Sequence, residues 1–357
     1  MVFTYLPALA RGTGLSVGVL GTIIFARDLT GLLGPRLAGT VRKWGPWRTM
    51  TGAGALAAIG MFLAVLGPIG IAVGLVLWGL GRTAYLLAIN SWLGEVVAYE
   101  RRGRAIGLVE LTWAGAALVG LPIMGLLIGT FGWWAAPLAL SLVGAPAALW
   151  ARLAGAPEAR PKADEVPTAL PVQRTTIVAL AAIAAMTGSA QFLFFTHGLW
   201  LEATYGFDPG DIAAAIIVVG AAEAVASFAT SRITDLIGKR VAVLAGSTVM
   251  ALVLGLLAVF PAPPLGWGIG MLLTAFLGFE FAIVSSIPLT TELEPENRSA
   301  VIGLGIGLST VARALVSLAA GFVYVGWGFR FTMVLAAGLA VMSVVVITAR
   351  VREPVPG

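Results

Sequence analysis

Long apolar stretches alternate with short polar breaks along nearly the whole chain. A helix needs about 20 residues to cross the hydrocarbon core of a bilayer, and eleven stretches reach about that length. We therefore predict eleven full transmembrane helices, and we expect residues 1–10 to be the last turns of a further, mostly missing first helix. The predicted spans are residues 15–40, 49–67, 70–97, 105–130, 132–153, 175–203, 209–232, 241–260, 265–293, 299–325 and 328–350.

One segment in the middle of the chain breaks this pattern. Residues 154–174 (AGAPEARPKADEVPTALPVQR) are rich in proline and charge and contain no long apolar run, which is typical of a linker. We predict that this linker joins an N-terminal helix bundle of residues 1–153 to a C-terminal six-helix bundle of residues 175–357.

The composition indicates a membrane protein and excludes several other classes. Of 357 residues, 59% are hydrophobic and only 11% are charged, whereas about a quarter of the residues in a soluble domain are charged. The absence of cysteine excludes a disulfide scaffold and thiol catalysis, and a single histidine, His197, argues against a histidine metal cluster. There is no Gly-Lys-Ser/Thr phosphate loop and no hydrolase constellation, so we expect no cofactor, no metal and no enzymatic activity.

The basic residues are concentrated at alternate breaks between the spans. Such a bias marks the cytoplasmic side of a membrane protein, so the pI of about 10.0 reflects topology and does not indicate a nucleic-acid partner. We predict that the linker and the C terminus lie in the cytoplasm. The clusters are Arg42, Lys43 and Arg48; Arg101, Arg102 and Arg104; Arg152, Arg160, Lys162 and Arg174; Arg232, Lys239 and Arg240; Arg298; and Arg350 and Arg352.

The two halves of the chain also repeat. The segment YERRGRAIGL at 99–108 aligns with PENRSAVIGL at 295–304, and the same spacing places Gly132 on Gly328. The matching glycines predict that the helices after these loops end in step in the two halves.

A second pair of segments supports the repeat. RKWGPWR at 42–48 aligns with DLIGKRV at 235–241 on Gly45 and Gly238. Each half therefore carries one basic loop after its second helix and another after its fourth. Two related bundles joined by a linker are typical of transporters that bind substrate between their halves.

The loop after the second helix of each half resembles a motif of the major facilitator superfamily, nearest to its bacterial drug/proton antiporters and sugar-efflux-like members. The family motif is Gly-x-x-x-Asp-Arg-x-Gly-Arg-Lys, which SRITDLIGKR matches well and AGTVRKWGPWR matches less well, with Arg42 where the aspartate belongs. The resemblance implies a gate on the cytoplasmic side, with an aspartate latch in the second half only. The gating residues it implies are Asp235, Gly238, Lys239, Arg240 and Gly45.

Two further elements are similar to the same family. GLGRTAYLLAIN places Arg82 where the family has an intramembrane arginine, and GLPIMG at 120–125 resembles the Gly-Pro-x-x-Gly-Gly element of antiporters. The resemblance implies an all-α fold of two bundles, with the first, fourth, seventh and tenth helices lining a central cavity. On that pattern Arg82 and Glu280 belong to the lining helices.

Several acidic residues fall inside or near the predicted spans, where a charge at the bilayer centre costs about 2.5–3.5 kcal/mol. Glu280 either exchanges a proton during transport or forms a fixed ion pair, for example with Arg313. Glu223 is a second candidate for proton coupling or a polar packing contact. Glu110 is a gate element that pairs with a loop arginine such as Arg104, or it stabilises the start of its helix.

Polar residues on other spans are candidates for charge pairing or substrate contact. Adjacent helical residues do not face each other, so we expect Asp28 to reach Arg82 or Arg313 rather than Arg27. His197 and Gln191 lie among aromatic residues that either line a cavity for an amphipathic aromatic substrate or simply pack. The full set of candidates is Arg82, Asp28, Arg313, His197, Gln191, Asn90 and Tyr85.

Together these features predict a secondary transporter of the bacterial inner membrane that exports a small organic molecule, drug-like, sugar or metabolite, in exchange for protons by alternating access. The expected partners are substrate, protons and the lipid bilayer, and we expect a monomer. Uptake by symport or facilitated diffusion is an alternative. A non-transporting scaffold or decayed paralogue is a third, suggested by the missing first helix and the altered first loop.

Overall fold

The computed structural model describes residues 3–97, 115–155 and 171–351, and every regular element within these ranges is helical. Short 3-10 helices cover Thr30–Leu33 and Pro295–Asn297, and a π-helical turn covers Ala116–Gly120. The α-helices are α1 (Leu6–Thr13), α2 (Val17–Leu29), α3 (Gly34–Trp44), α4 (Pro46–Ala64), α5 (Pro68–Val96), α6 (Leu121–Phe131), α7 (Ala135–Ala154), α8 (Arg174–Tyr205), α9 (Pro209–Ile237), α10 (Lys239–Val259), α11 (Leu265–Glu292) and α12 (Arg298–Arg350).

The helices confirm an all-α membrane fold. In the described ranges, seven helical segments are long and apolar enough to cross a bilayer, counting α2 and α3 with the turn between them as one. The predicted span 105–130 is helical from residue 115 onward, and its first part lies outside the described residues. The predicted span 15–40 is divided by the 3-10 turn and continues to Trp44.

Four glycines confirm the internal repeat in the backbone. Gly45 has φ 84° and ψ 153°, and Gly238 has φ 88° and ψ 146°; each ends one helix and caps the next. Gly132 has φ 97° and ψ 174°, and Gly328 has φ 74° and ψ −175°. Glycine adopts positive φ without the steric cost that a Cβ brings. Glycine at both aligned pairs therefore lets the helices break at matching positions in the two halves. The break at Gly328 separates the two predicted spans that otherwise run on as α12.

The chain divides into two compact units. The C-terminal unit comprises Met1–Pro7 and Thr168–Gly357, and the N-terminal unit comprises Ala8–Pro167. Residues 3–7 belong to the C-terminal unit, where Tyr5 and Leu6 are buried. A Cβ on Gly198 of α8 would collide with the Thr4 carbonyl, so the absence of a side chain there lets the two backbones touch.

Helix α8 is the central helix of the C-terminal unit. Its most apolar stretch is 78% buried, compared with 22% for α7, and it packs mainly on α12 and α11. The following helix α9 begins at a capping box, in which Asp208 accepts hydrogen bonds from backbone N–H groups of Gly210 and Asp211. The burial of α8 places its polar residues inside the unit, where each needs a hydrogen-bond partner.

Candidate transport site and cytoplasmic loops

A charge pair of the N-terminal unit lies at the end of α2. Arg27 donates from Nε and Nη2 to Oδ1 of Asp28, at 2.9 and 2.6 Å. The expectation that neighbouring helical residues would not meet was therefore wrong. The spacing rule describes Cβ positions, whereas the long arginine side chain bends back to reach the carboxylate beside it.

The same arginine is held against α5. The Arg27 guanidinium lies 5.8 Å from the centroid of the Trp78 ring, within the range of a cation–π contact. The close helix approach depends on Gly79, because a Cβ there would lie 2.7 Å from the Arg27 carbonyl oxygen. Arg27 is only 8% exposed, so the ion pair and the ring replace the water that a buried guanidinium loses.

The α5 candidates lie in three different environments. Arg82 is half-buried, and its pairing with Asp28 stays a prediction. Tyr85 is 41% exposed and lines a pocket of about 370 Å³ together with Trp78 and residues of α4 and α7. Asn90 is exposed and donates from Nδ2 to the Leu86 carbonyl at 2.8 Å, so its amide N–H serves its own helix.

Gln191 is a buried structural contact of the C-terminal unit. Its Nε2 donates to Oγ of Ser317 at 2.8 Å, and both side chains are buried. The hydrogen bond joins α8 to α12 at a point where the helices are otherwise packed by apolar and small residues. This contact explains the burial of a glutamine without requiring a substrate.

His197 is buried with one ring nitrogen in use. Its Nδ1 lies 2.9 Å from the Phe194 carbonyl oxygen, and because a carbonyl only accepts, Nδ1 carries the proton. Its Nε2 is buried and has no hydrogen-bond partner among the described residues. A buried acceptor without a donor is rare in a folded protein, so this nitrogen is a candidate for contact with a ligand.

An aromatic cluster of Phe194, Phe276 and Phe279 contacts this histidine through Phe276. Phe276 meets the imidazole edge-on at 5.8 Å, and the Phe194 ring lies 5.1 Å from the rings of both Phe276 and Phe279. Phe279 directly precedes Glu280 on α11. The cluster therefore packs the histidine of α8 against the part of α11 that carries Glu280.

Glu223 and Glu280 are the acidic residues of this unit that interact with each other. Both side chains are half-buried, on α9 and α11, and they lie within range of an electrostatic interaction. The two helices are joined by a hydrogen bond of 2.7 Å between Thr234 and Ser285. Arg313 on α12 is also half-buried, and its pairing with Glu280 stays a prediction.

The second-half loop at Gly238 is tied down by charged side chains. Lys239 forms an ion pair with Glu292 at the end of α11, and Arg240 donates from Nη2 to the Thr348 carbonyl at 2.8 Å. Asp235 lies in the last turn of α9, but its side chain is outside the described part of the structure. Glu292 had not been identified from the sequence, because nothing in its spacing marks Lys239 as its partner.

The first-half loop at Gly45 is held by a tryptophan. Trp47 donates from Nε1 to the Ala151 carbonyl at 3.1 Å, and its ring lies 6.0 Å from the ring of Trp92. Thr49 closes the turn by donating to the Gly45 carbonyl at 2.8 Å. Sequence comparison with the motif drew attention to the missing aspartate and overlooked Trp47.

Glu294 anchors the start of α8, a role that the sequence analysis missed. Its Oε1 accepts the backbone N–H of Gln173 at 2.9 Å, and Asn297 donates to its Oε2 at 3.3 Å. These contacts, led by the hydrogen bond from the Thr176 side chain, lower the pKa of Glu294. A negative charge at a helix N-terminus is favourable, so the carboxylate ties α8 to the loop between α11 and α12.

Glu110 and the first basic segment at 99–108 lie outside the described residues. The Gly-Pro element is described: a π-helical turn, Ala116–Gly120, leads into α6, where Pro122 stands in the first turn. Within the described ranges, no group of three acidic or histidine side chains is arranged to hold a metal ion.

Comparison with solved structures places this architecture among known transporters. A bacterial homolog of the human lysosomal transporter Spinster, in an inward-facing and occupied conformation, superposes with a TM-score of 0.80 at 16% identity, covering 97% of this chain and 91% of that one. A bacterial homologue of the iron transporter ferroportin, in an inward-facing state, gives a TM-score of 0.70 at 14% identity, with coverages of 97% and 92%. At such low identity, these likenesses show the fold.

Comparison of sequences identifies the family. No curated protein sequence matches the chain, but the profile of the Major Facilitator Superfamily matches residues 1–293. The match covers most of the chain and agrees with the helical architecture and its internal repeat. The chain therefore belongs to the Major Facilitator Superfamily of secondary transporters.

Proposed function

We propose that this transporter exports a small organic molecule in exchange for protons, by alternating access in the bacterial inner membrane. The observation that carries the proposal is the presence of two half-buried acids, Glu223 and Glu280, on two helices of one unit that a hydrogen bond joins. Acids at membrane depth are costly and usually functional, so two of them on adjacent helices are candidates for proton exchange.

The two acids have distinct roles in this proposal. Glu280, beside the aromatic cluster, is the group that gives up its proton when substrate binds and regains one from the outside. Glu223, half-buried on the neighbouring helix α9, is the second candidate for proton exchange. Alternating access then exposes the pair to the two sides of the membrane in turn.

The surroundings of Glu280 suggest the substrate class. Aromatic rings bind flat apolar groups and organic cations, and the free Nε2 acceptor of His197 suits a donor group on the substrate. An amphipathic aromatic molecule, especially one with positive charge, would meet the rings, the histidine and the carboxylate together. Binding of a cation beside Glu280 would also displace its proton.

The distribution of basic residues supports the orientation in this proposal. The basic loops at Gly45 and Gly238 face the cytoplasm in this proposal, together with the linker and the C terminus. The export direction is supported by the antiporter-like element at 120–125 and by the Asp235 loop. We propose that the monomer carries out the whole transport cycle.

The test uses proteoliposomes that contain a pH-sensitive dye and an imposed proton gradient. Tetraphenylphosphonium, an aromatic antibiotic and a sugar are added in turn to wild type, Glu280→Gln and Glu223→Gln. Glu296→Gln is the matched control, because Glu296 is exposed in the loop before α12. We expect an aromatic cation to drive proton movement in the wild type and the control, with a loss of at least tenfold in Glu280→Gln.

Three outcomes would contradict parts of the proposal. Proton movement that survives in Glu280→Gln but not in Glu223→Gln would assign coupling to Glu223. Substrate accumulation driven by an inward proton gradient would indicate symport. If correctly inserted protein moves a compound without protons, coupling fails altogether and the protein is a facilitator.

A further inference from the structure

A groove of about 770 Å³ runs along the surface of the N-terminal unit between α4 and α7. Three basic residues, Lys43, Arg48 and Arg152, line one end of it. The remaining lining is mostly apolar and continues along α4 to Phe62. A single concave surface thus joins a positively charged end to an apolar channel.

The dimensions of the groove match one leaflet of a bilayer. From Arg48 to Phe62, the α4 backbone rises about 21 Å at 1.5 Å per residue, and from Ser141 to Arg152, α7 rises about 16 Å. The hydrocarbon core is about 30 Å thick. The groove therefore extends from the basic membrane surface to roughly the bilayer centre or slightly beyond it.

Small residues let the two helices that border the groove pack closely against each other. A Cβ on Gly54 would lie 3.5 Å from the Cβ of Ala148, and one on Gly144 would lie 3.3 Å from that of Ala58. Close packing through glycine and alanine is typical of helices in membranes. On the groove face, Gly52, Ala55 and Ala145 leave a channel, and a Cβ at Gly52 would meet no heavy atom within 4 Å.

The rim residues face outward. Ile59 is 54% exposed, Phe62 52% and Leu149 60%, and Trp44, 56% exposed, stands beside the basic end. In a membrane-embedded unit, exposed apolar side chains contact lipid, and tryptophan favours the headgroup level. The groove is therefore open to lipid along its length.

We propose that this groove binds one anionic glycerophospholipid of the cytoplasmic leaflet. Its phosphate group lies against Lys43, Arg48 and Arg152, and one acyl chain follows the channel past Gly52 towards Phe62. Charge complementarity selects the anionic headgroup, since basic pockets between helices on this side bind anionic headgroups. A soluble phosphate ion would leave the apolar channel empty, so the lipid is the occupant that uses the whole surface.

The test counts lipids retained on detergent-purified full-length protein by native mass spectrometry. Phosphatidylglycerol and phosphatidylcholine with identical acyl chains are titrated separately, and glycerol phosphate is added as a soluble competitor. We expect one retained phosphatidylglycerol at concentrations where phosphatidylcholine is not retained. Replacing Lys43, Arg48 and Arg152 together by glutamine should weaken binding on the order of a hundredfold, at roughly fivefold per charge.

Two matched pairs of variants separate the headgroup from the acyl chain. Arg42→Gln removes an exposed charge next to the groove without touching its lining, and it should retain the lipid. Gly52→Leu fills the channel without a clash and should lose the lipid, whereas Gly129→Leu, at an exposed helical position with equally open surroundings, should retain it.

Each opposite result overturns the proposal. Equal retention of phosphatidylcholine, or full retention by the triple variant, would show that the basic end does not select the headgroup. Displacement by millimolar glycerol phosphate would identify the site as one for a soluble phosphate. Retention in Gly52→Leu would show that no acyl chain occupies the channel. The thermal unfolding temperature of each variant shows whether it has folded.

Discussion

The loops at Gly45 and Gly238 have nearly the same backbone and different side-chain chemistry. Both glycines have φ near 85° and both connect a helix end to the next helix start. In the first half, Trp47 reaches the Ala151 carbonyl at the end of α7, and in the second half, Arg240 reaches the Thr348 carbonyl near the end of α12. In the first half an indole thus joins α4 to α7, and at the corresponding place in the second half a guanidinium joins α10 to α12.

The difference shows which part of a repeat is constrained. The turn needs a glycine in both halves, because few other residues tolerate this backbone. The contacts that fix the turn only need a donor long enough to reach the last helix. The second loop adds the Lys239–Glu292 ion pair, so it depends on charge, whereas the first depends on aromatic packing. We expect the two loops to respond differently to truncation and salt.

Truncation of the tryptophan should have the largest effect on stability. Trp47→Ala removes the hydrogen bond to Ala151 and the ring contact with Trp92, and we expect a loss of about 3 kcal/mol, at the lower end for a large aromatic residue. Arg240→Ala, its counterpart, should cost about 1 kcal/mol. Thermal unfolding in detergent, followed by circular dichroism, measures both, and equal losses would contradict the proposed difference between the loops.

Substitution of the two turn glycines should have matching, intermediate effects. Gly45→Ala and Gly238→Ala place a Cβ at positive φ in a region populated almost only by glycine, at a cost of about 1–3 kcal/mol each. Gly129→Ala, at an exposed position with helical backbone in α6, serves as the control and should be neutral or stabilising. The same unfolding measurement applies, and a large difference between the two turn variants would break the geometric equivalence.

Removal of the ion pair should have a small effect that depends on salt. The side chains of Lys239 and Glu292 are 25% and 36% exposed, and partly exposed pairs contribute about 0–1 kcal/mol. Lys239→Gln should therefore lower stability slightly at low salt and have little effect at high salt, where charges are screened. Trp47→Phe keeps an aromatic ring and removes a hydrogen bond between neutral groups, so it should show no such salt dependence.

The Glu294 anchor should stabilise the protein at neutral pH and lose this effect in acid. Its hydrogen bonds favour the carboxylate and lower its pKa in the folded protein, so its contribution is fully present above the ordinary glutamate pKa of about 4.3. That contribution is lost as pH falls through the lowered pKa. Wild type and Glu294→Gln should therefore converge towards acid, and stability profiles that stay parallel from neutral to acidic pH would contradict this role.

The fold was largely predictable, because apolar runs of bilayer length and paired glycines are local signals. The spans, the all-α class and the glycine turns at 45 and 238 follow from them. Side-chain partners were not predictable, since they depend on helix rotation and on how far a flexible side chain bends. Arg27 shows this most clearly: the spacing of Cβ atoms excluded Asp28, yet the guanidinium reaches it.

The candidate site shows the same limit. Glu223 and Glu280 were each identified because a charge at membrane depth needs an explanation. Their electrostatic interaction had no signal in the sequence, because they lie on different helices with no shared motif. The buried Nε2 of His197 also depends on the rotation of α8. Pairing of Glu280 with Arg313 stays a prediction.

The most direct test of proton exchange at Glu280 is proton release on substrate binding. Detergent-solubilised protein in weakly buffered solution with a pH dye is mixed with the aromatic cation that moves protons in liposomes. The account predicts about one proton released per bound cation in the wild type and none in Glu280→Gln, with binding itself retained. Unchanged proton release in Glu280→Gln would contradict it.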